Sequence, residues 1–257
     1  MRHSLAMVAA ALFLLAPGAR SQTAVAPDRT PPAPDPMVLQ DRRQETVRQT
    51  DDLMLRIRKL NEAMEQQKAP EVLRAVGRGM QETCARLGQL QRRMGVHETK
   101  LEGDANRVRQ AAVDRVQERL RVMARELEEA QQTLRYLSTM KQRQCDPLPA
   151  DEAEQVRTRN QELAEHVVRI NERVRALQEW AAGKDAPANA REAVRDVGQL
   201  HEQLRLMAES CDNMRNDTGL QGDRERLREM DRLHDRLHVM LRELEEATES
   251  LPQAFVG

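Results

Sequence analysis

Residues 119–130, Arg-Leu-Arg-Val-Met-Ala-Arg-Glu-Leu-Glu-Glu-Ala, recur at 236–247 with ten of twelve positions identical, an offset of 117 residues. The same offset carries Arg56-Ile57-Arg58-Lys59-Leu60-Asn61-Glu62 onto Arg173-Val174-Arg175-Ala176-Leu177-Gln178-Glu179, and Ala69-Pro70 onto Ala186-Pro187. Between these anchors the register slips by a few residues. Arg74–Gly77 meets Arg195–Gly198, Glu82-Thr83-Cys84 meets Glu209-Ser210-Cys211, and Leu101–Asp104 meets Leu220–Asp223. Turn signals matched in the same order favour tandem duplication over chance likeness between Arg/Glu/Leu-rich helices. The expected organisation is two copies of one unit, 37–146 and 147–257.

Each copy reads as three helices. In the first, Val47, Thr50, Met54, Ile57, Asn61 and Met64 alternate three and four apart, and Leu53 and Leu60 widen the stripe. Past the Ala69-Pro70 break, Leu73, Val76, Met80, Thr83, Leu87, Leu90 and Met94 do the same. After a loop over 95–103, Val113, Val116, Leu120, Met123, Leu127, Ala130, Leu134 and Leu137 mark the longest helix. The second copy repeats the pattern at Met230, Leu233, Leu237, Met240, Leu244, Ala247 and Leu251. Spacing of this kind belongs to helices packed nearly parallel or antiparallel. Asn61 and its counterpart Gln178 put amides on the seam, where they fix register at some cost in stability. Asp104 and Asp223 are placed to cap the third helices, and Asp151 with Glu154 makes a capping signal for the fourth. Cys145-Asp146-Pro147-Leu148-Pro149-Ala150 is the linker, since its prolines cannot continue a helix.

Composition closes off the alternatives. Only 2% of the 257 residues are aromatic and only 11 are glycine, too few for the strands and turns of a sandwich, barrel or doubly wound sheet. The predicted fold is all-α, an elongated antiparallel bundle or coiled coil with a core of Leu, Val, Met and Ala. With 41 basic against 42 acidic residues, there is no net field to hold nucleic acid, and no aromatic platform on which bases would stack.

The amino terminus indicates the compartment. Met1-Arg2-His3, the apolar run Leu5–Ala16 and Ala19-Arg20-Ser21 form a signal peptide over 1–21, with cleavage expected before Gln22. No later run of about 18 apolar residues exists, so no transmembrane segment is expected after cleavage. Residues 22–36, which include Ala26-Pro27-Asp28-Arg29-Thr30-Pro31-Pro32-Ala33-Pro34-Asp35-Pro36, read as a Pro-rich spacer. With 36 Arg and five Lys among the basic residues, the chain is expected to be secreted, to a bacterial periplasm.

Few residues could carry chemistry. Three cysteines leave one over. An up-down-up unit returns the end of its second helix to the start of its first, so a Cys145–Cys211 disulfide is expected, with Cys84 the free thiol; three buried thiols are the alternative. His234 and His238 are four apart, and a hairpin near Asn216–Leu220 sets position 201 opposite 235. His201, His234 and His238 thus form a candidate metal set for Zn, Cu or Ni, or a haem site, with Met240, Glu202 and Glu243 as further ligands. An accidental i,i+4 pair on a solvated flank competes with that reading. Most of the 13 methionines fall on seams, which favours core packing over a copper or client surface. The sequence contains no G-x-S-x-G, no phosphate-binding glycine loop and no H-E-x-x-H, so no enzyme is expected. The function expected is non-enzymatic protein-protein binding, as scaffold, adaptor or holdase. The alternatives are a metal- or haem-binding bundle and a peripheral lipid-binding protein. Leftover seam residues leave room for a homodimer.

Overall fold

The structure, a computed structural model, describes residues 36–95, 104–140, 149–216 and 223–255. The signal peptide 1–21, the spacer up to residue 35, most of the 95–103 loop, Cys145 and the tip of the 216–220 hairpin lie outside those residues. Six α-helices and no strand make up the described residues: α1 (Pro36–Gln66), α2 (Glu71–Gly95), α3 (Asp104–Thr139), α4 (Ala150–Ala182), α5 (Ala188–Asn216) and α6 (Arg224–Phe255). The fold is all-α, as the spacing predicts. At about 1.5 Å per residue, the 36 residues of α3 set a bundle length of about 54 Å.

Local chemistry explains the breaks. Lys68 adopts the left-handed conformation (φ 53°), and Ala69 N–H reaches back to Met64 O at 2.9 Å, closing α1 with a bond of the Schellman type. The carbonyl of Pro70 then accepts Leu73 and Arg74 N–H, just as the carbonyl of Pro187 accepts Ala190 and Arg191 N–H ahead of α5. Asp223 caps α6, its Oδ1 accepting Arg226 N–H at 3.2 Å. At α4 the expected Asp151 cap gives way to Pro149. The proline's fixed φ suits the position ahead of a helix, and its carbonyl takes Ala153 N–H at 3.0 Å, so Asp151 falls inside the first turn.

The sequence leaves open whether the two halves pack together; they do. The described helices cluster into one compact unit, Pro36–Gly257. Its most extensive interface joins α3 to α6, and the next joins α2 to α5. These four helices form a ring, with α1 laid over α2 and α3, and α4 over α5 and α6. Cross-half ion pairs show both large interfaces to be antiparallel: Arg119–Glu243 (2.9 Å) and Arg236–Glu126 (2.8 Å) between α3 and α6, and Arg93–Asp196 (2.6 Å) between α2 and α5. Within each half the first helix runs parallel to the third, as Arg56–Glu128 (2.5 Å) and Arg173–Glu245 (2.9 Å) record.

The core is aliphatic and methionine-rich. Met80, Met94, Met123, Met207, Met214, Met230 and Met240 are at most 1% exposed, and Phe255 is the aromatic exception. The seam amides hold close helix contacts. Asn61 Nδ2 donates to Gly77 O at 3.0 Å, and Gln178 sits over Gly198, where a Cβ would come within 3.1 Å of its Nε2. No described helix is long and apolar enough to cross a membrane.

Candidate functional site

α4 buries one narrow stripe: Leu163, His166, Val167, Ile170, Val174, Leu177 and Ala181. His166 is its single polar member, only 3% exposed. Burial leaves the imidazole needing partners for both nitrogens, and α6 supplies them. His166 Nε2 lies 3.0 Å from Glu245 Oε2, and Nδ1 lies 2.9 Å from His238 Nδ1, with the two rings edge to face. The carboxylate can only accept, so His166 donates to it from Nε2, and its bare Nδ1 accepts the Nδ1–H of His238. Burial holds His166 below the ordinary imidazole range, helped by the charges of His238 and Arg169, while Glu245 pulls the other way.

His201 and His234 are buried as well. His201 Nε2 donates to Val167 O on α4 at 3.3 Å, and burial lowers its proton affinity. His234 has a buried Nε2 with no hydrogen-bond partner; burial first, then Arg215, His238 and Arg159, push it down to about 4. His201, His234 and His238 are therefore not brought into one ligand set. His201 is turned onto a backbone carbonyl, and His238 spends a nitrogen on His166. Among the described residues no group of three or more His, Cys, Asp or Glu is arranged to hold a metal ion. Sequence reasoning missed His166, although it is the one polar residue in an otherwise apolar stripe.

Both cysteines among the described residues are buried. Cys84 is buried, its Sγ donating to Thr50 O at 3.4 Å, and burial pushes it up to about 12. Cys211 is buried with a free thiol, likewise raised by burial, and its expected partner Cys145 lies outside the described residues.

Between the carboxy-terminal parts of α1 and α3 lies an open groove of about 860 Å³. Leu60 and Ala63 line it from α1 and Tyr136 from α3; the Tyr136 ring is 45% exposed although its hydroxyl donates to Glu225 at 2.6 Å. Arg56, Lys59 and Arg135 stand among the lining residues, and no carboxylate does.

No protein-family model matches the chain, and neither a curated protein nor a solved structure resembles it at a significant level.

Proposed function

We propose that the protein is a non-enzymatic component of the bacterial envelope that works by binding another protein. The α1–α3 groove carries this reading: Leu60, Ala63 and Tyr136 lie beside Lys59 and Arg135, with Arg56 already paired to Glu128, and an amphipathic helix with acidic flanks matches that lining. The signal-peptide pattern at 1–21 supports the compartment. The two halves are, in the same reading, copies of one unit. Arg119, Glu126 and Arg56 make the ion pairs described above, and so do Arg236, Glu243 and Arg173 at the offset of 117.

The test places a photo-crosslinking amino acid at Gln132, beside the groove, and at Arg195 on α5 as control, in cells of the source organism. The expected result is a discrete adduct with one protein from position 132, absent from position 195 and lost when Lys59→Glu and Arg135→Glu reverse the charges. Adducts that ignore the charge reversal, or no adduct at all, would overturn the proposal.

A further inference from the structure

α4 and α6 run parallel, so their amino-terminal ends lie at the same end of the bundle, that of α6 already capped by Asp223. Between them opens a cavity of about 360 Å³. Four arginines line it, Arg159, Arg215, Arg224 and Arg228, against two acids, Glu152 and Asp231.

The pairing inside the cavity is incomplete. Arg215, from the last turn of α5, has a side chain 0% exposed. Its Nη1 donates to Asn160 Oδ1 at 2.7 Å and its Nη2 to Asp231, but its Nε is buried with no partner. Asp231 is shared, because Arg159 also approaches it at 3.5 Å, and Glu152 is engaged by Arg224 at 3.1 Å. Arg228 is exposed and has no acid of its own there. The lining thus carries four positive charges against two negative, with Asp212 a third acid within electrostatic reach of Arg215. A guanidinium taken out of water is stable only when its donors are met, and this one keeps an unmet donor beside an excess of positive charge. The excess is felt nearby: Arg215 and Arg159 add to burial in holding His234 deprotonated. Two further features favour an anion. The N-cap of α4, Pro149, makes no side-chain cap, although Asp151 and Glu152 in the first turn offset part of the dipole. Guanidinium forks also match the oxygen spacing of phosphate.

We propose that this cavity binds a phosphate-type oxyanion, held by Arg159 and Arg228 at the rim above the buried charge of Arg215. Its source is free phosphate or the phosphomonoester of a lipid headgroup. The site is distinct from the α1–α3 groove and does not depend on that groove having a partner.

The experiment uses the mature chain. Calorimetry and thermal melts with inorganic phosphate are compared with sodium chloride at equal ionic strength, and flotation with phosphatidic acid vesicles is compared with phosphatidylcholine vesicles. The variants are Arg228→Ser and Arg159→Ser, whose exposed side chains leave the fold intact, and circular dichroism verifies this. Free phosphate as the source predicts saturable heat and a raised melting midpoint, with the dissociation constant about tenfold weaker in each variant, as expected for one lost charge-assisted contact. A headgroup as the source predicts flotation with phosphatidic acid alone, lost in the same variants. If phosphate acts no differently from chloride and neither vesicle floats the protein, or if binding is unchanged in both folded variants, the assignment is wrong.

Discussion

Arg119 on α3 donates from Nη1 to Oε2 of Glu243 on α6, 2.9 Å away, and its other arm reaches Glu246. Glu243 is only 4% exposed, so the pair holds a carboxylate that water hardly reaches. Removing the guanidinium leaves that charge with Arg242 at 3.5 Å as its remaining cation. Arg119→Ala should lower stability by about 2 kcal/mol in urea denaturation, less than a fully buried pair would lose because Arg119 is 38% exposed. Adding Glu243→Gln should restore part of it. A single-variant loss under about 0.5 kcal/mol would mean that the pair contributes no more than an ordinary surface bridge.

Two helical glycines in α2 should respond oppositely to alanine. A Cβ at Gly79 would run into Met207 Cγ of α5 and meet its Sδ at 3.1 Å, whereas at Gly88 its nearest neighbours are Arg92 Nη1 at 3.5 Å and Thr50 Cγ2 at 3.6 Å. Gly79→Ala forces the Met207 side chain to shift and should cost about 1–3 kcal/mol. Gly88→Ala fits the space it finds and should stabilise by about 0.5–1 kcal/mol through backbone entropy. Thermal melts of the two variants decide the matter, and equal shifts would contradict the α2–α5 packing.

Acid should weaken the fold. His166, His201 and His234 all bind protons less readily in the folded chain than a free imidazole does, mainly through burial. Depressed values mean that the unfolded chain takes up protons first. Their stabilisation is complete above about pH 6.5 and is lost as the pH falls toward about 4, where His234 itself titrates. His234 alone accounts for up to about 3 kcal/mol over that window. Asp212 works in reverse: burial pushes its carboxyl up to about 6, so it stabilises below about pH 4 and loses that contribution as the pH rises through 6. Three histidines outweigh one aspartate, and the melting midpoint should fall between pH 7.5 and pH 4.5. His234→Gln should flatten the decline. A midpoint that rises on acidification would show that Asp212 dominates.

Cys84 and Cys211 should resist alkylation. Both thiols are buried and both are held protonated by that burial. A brief iodoacetamide pulse at pH 8 on the native protein, followed by peptide mapping, should leave the two cysteine peptides unmodified, and the same pulse in denaturant should modify Cys84. Rapid native labelling of either residue would place it at the surface.

Helix identity was readable because the seams repeat over many turns and the breaks carry proline. Ala69-Pro70, Ala186-Pro187 and Asp223 mark boundaries that the structure reproduces. Partner choice was not readable. A stripe such as Leu120, Met123, Leu127 says that one face of α3 is buried, and nothing in its spacing says that α6 covers more of it than α1 does. The histidines failed for a related reason. The α5–α6 hairpin alone relates positions 201 and 234, whereas His166 and the Val167 carbonyl arrive from α4, which runs beside α6 at an offset that no local signal encodes.

Arg119 and Glu243 stand 124 residues apart. A chain that emerges amino terminus first will therefore have formed α3 long before α6 exists to cover it, and its apolar stripe must wait uncovered in the meantime. The bundle cannot close before α6 has arrived. Until then the nascent chain is a natural substrate for any chaperone stationed at its exit.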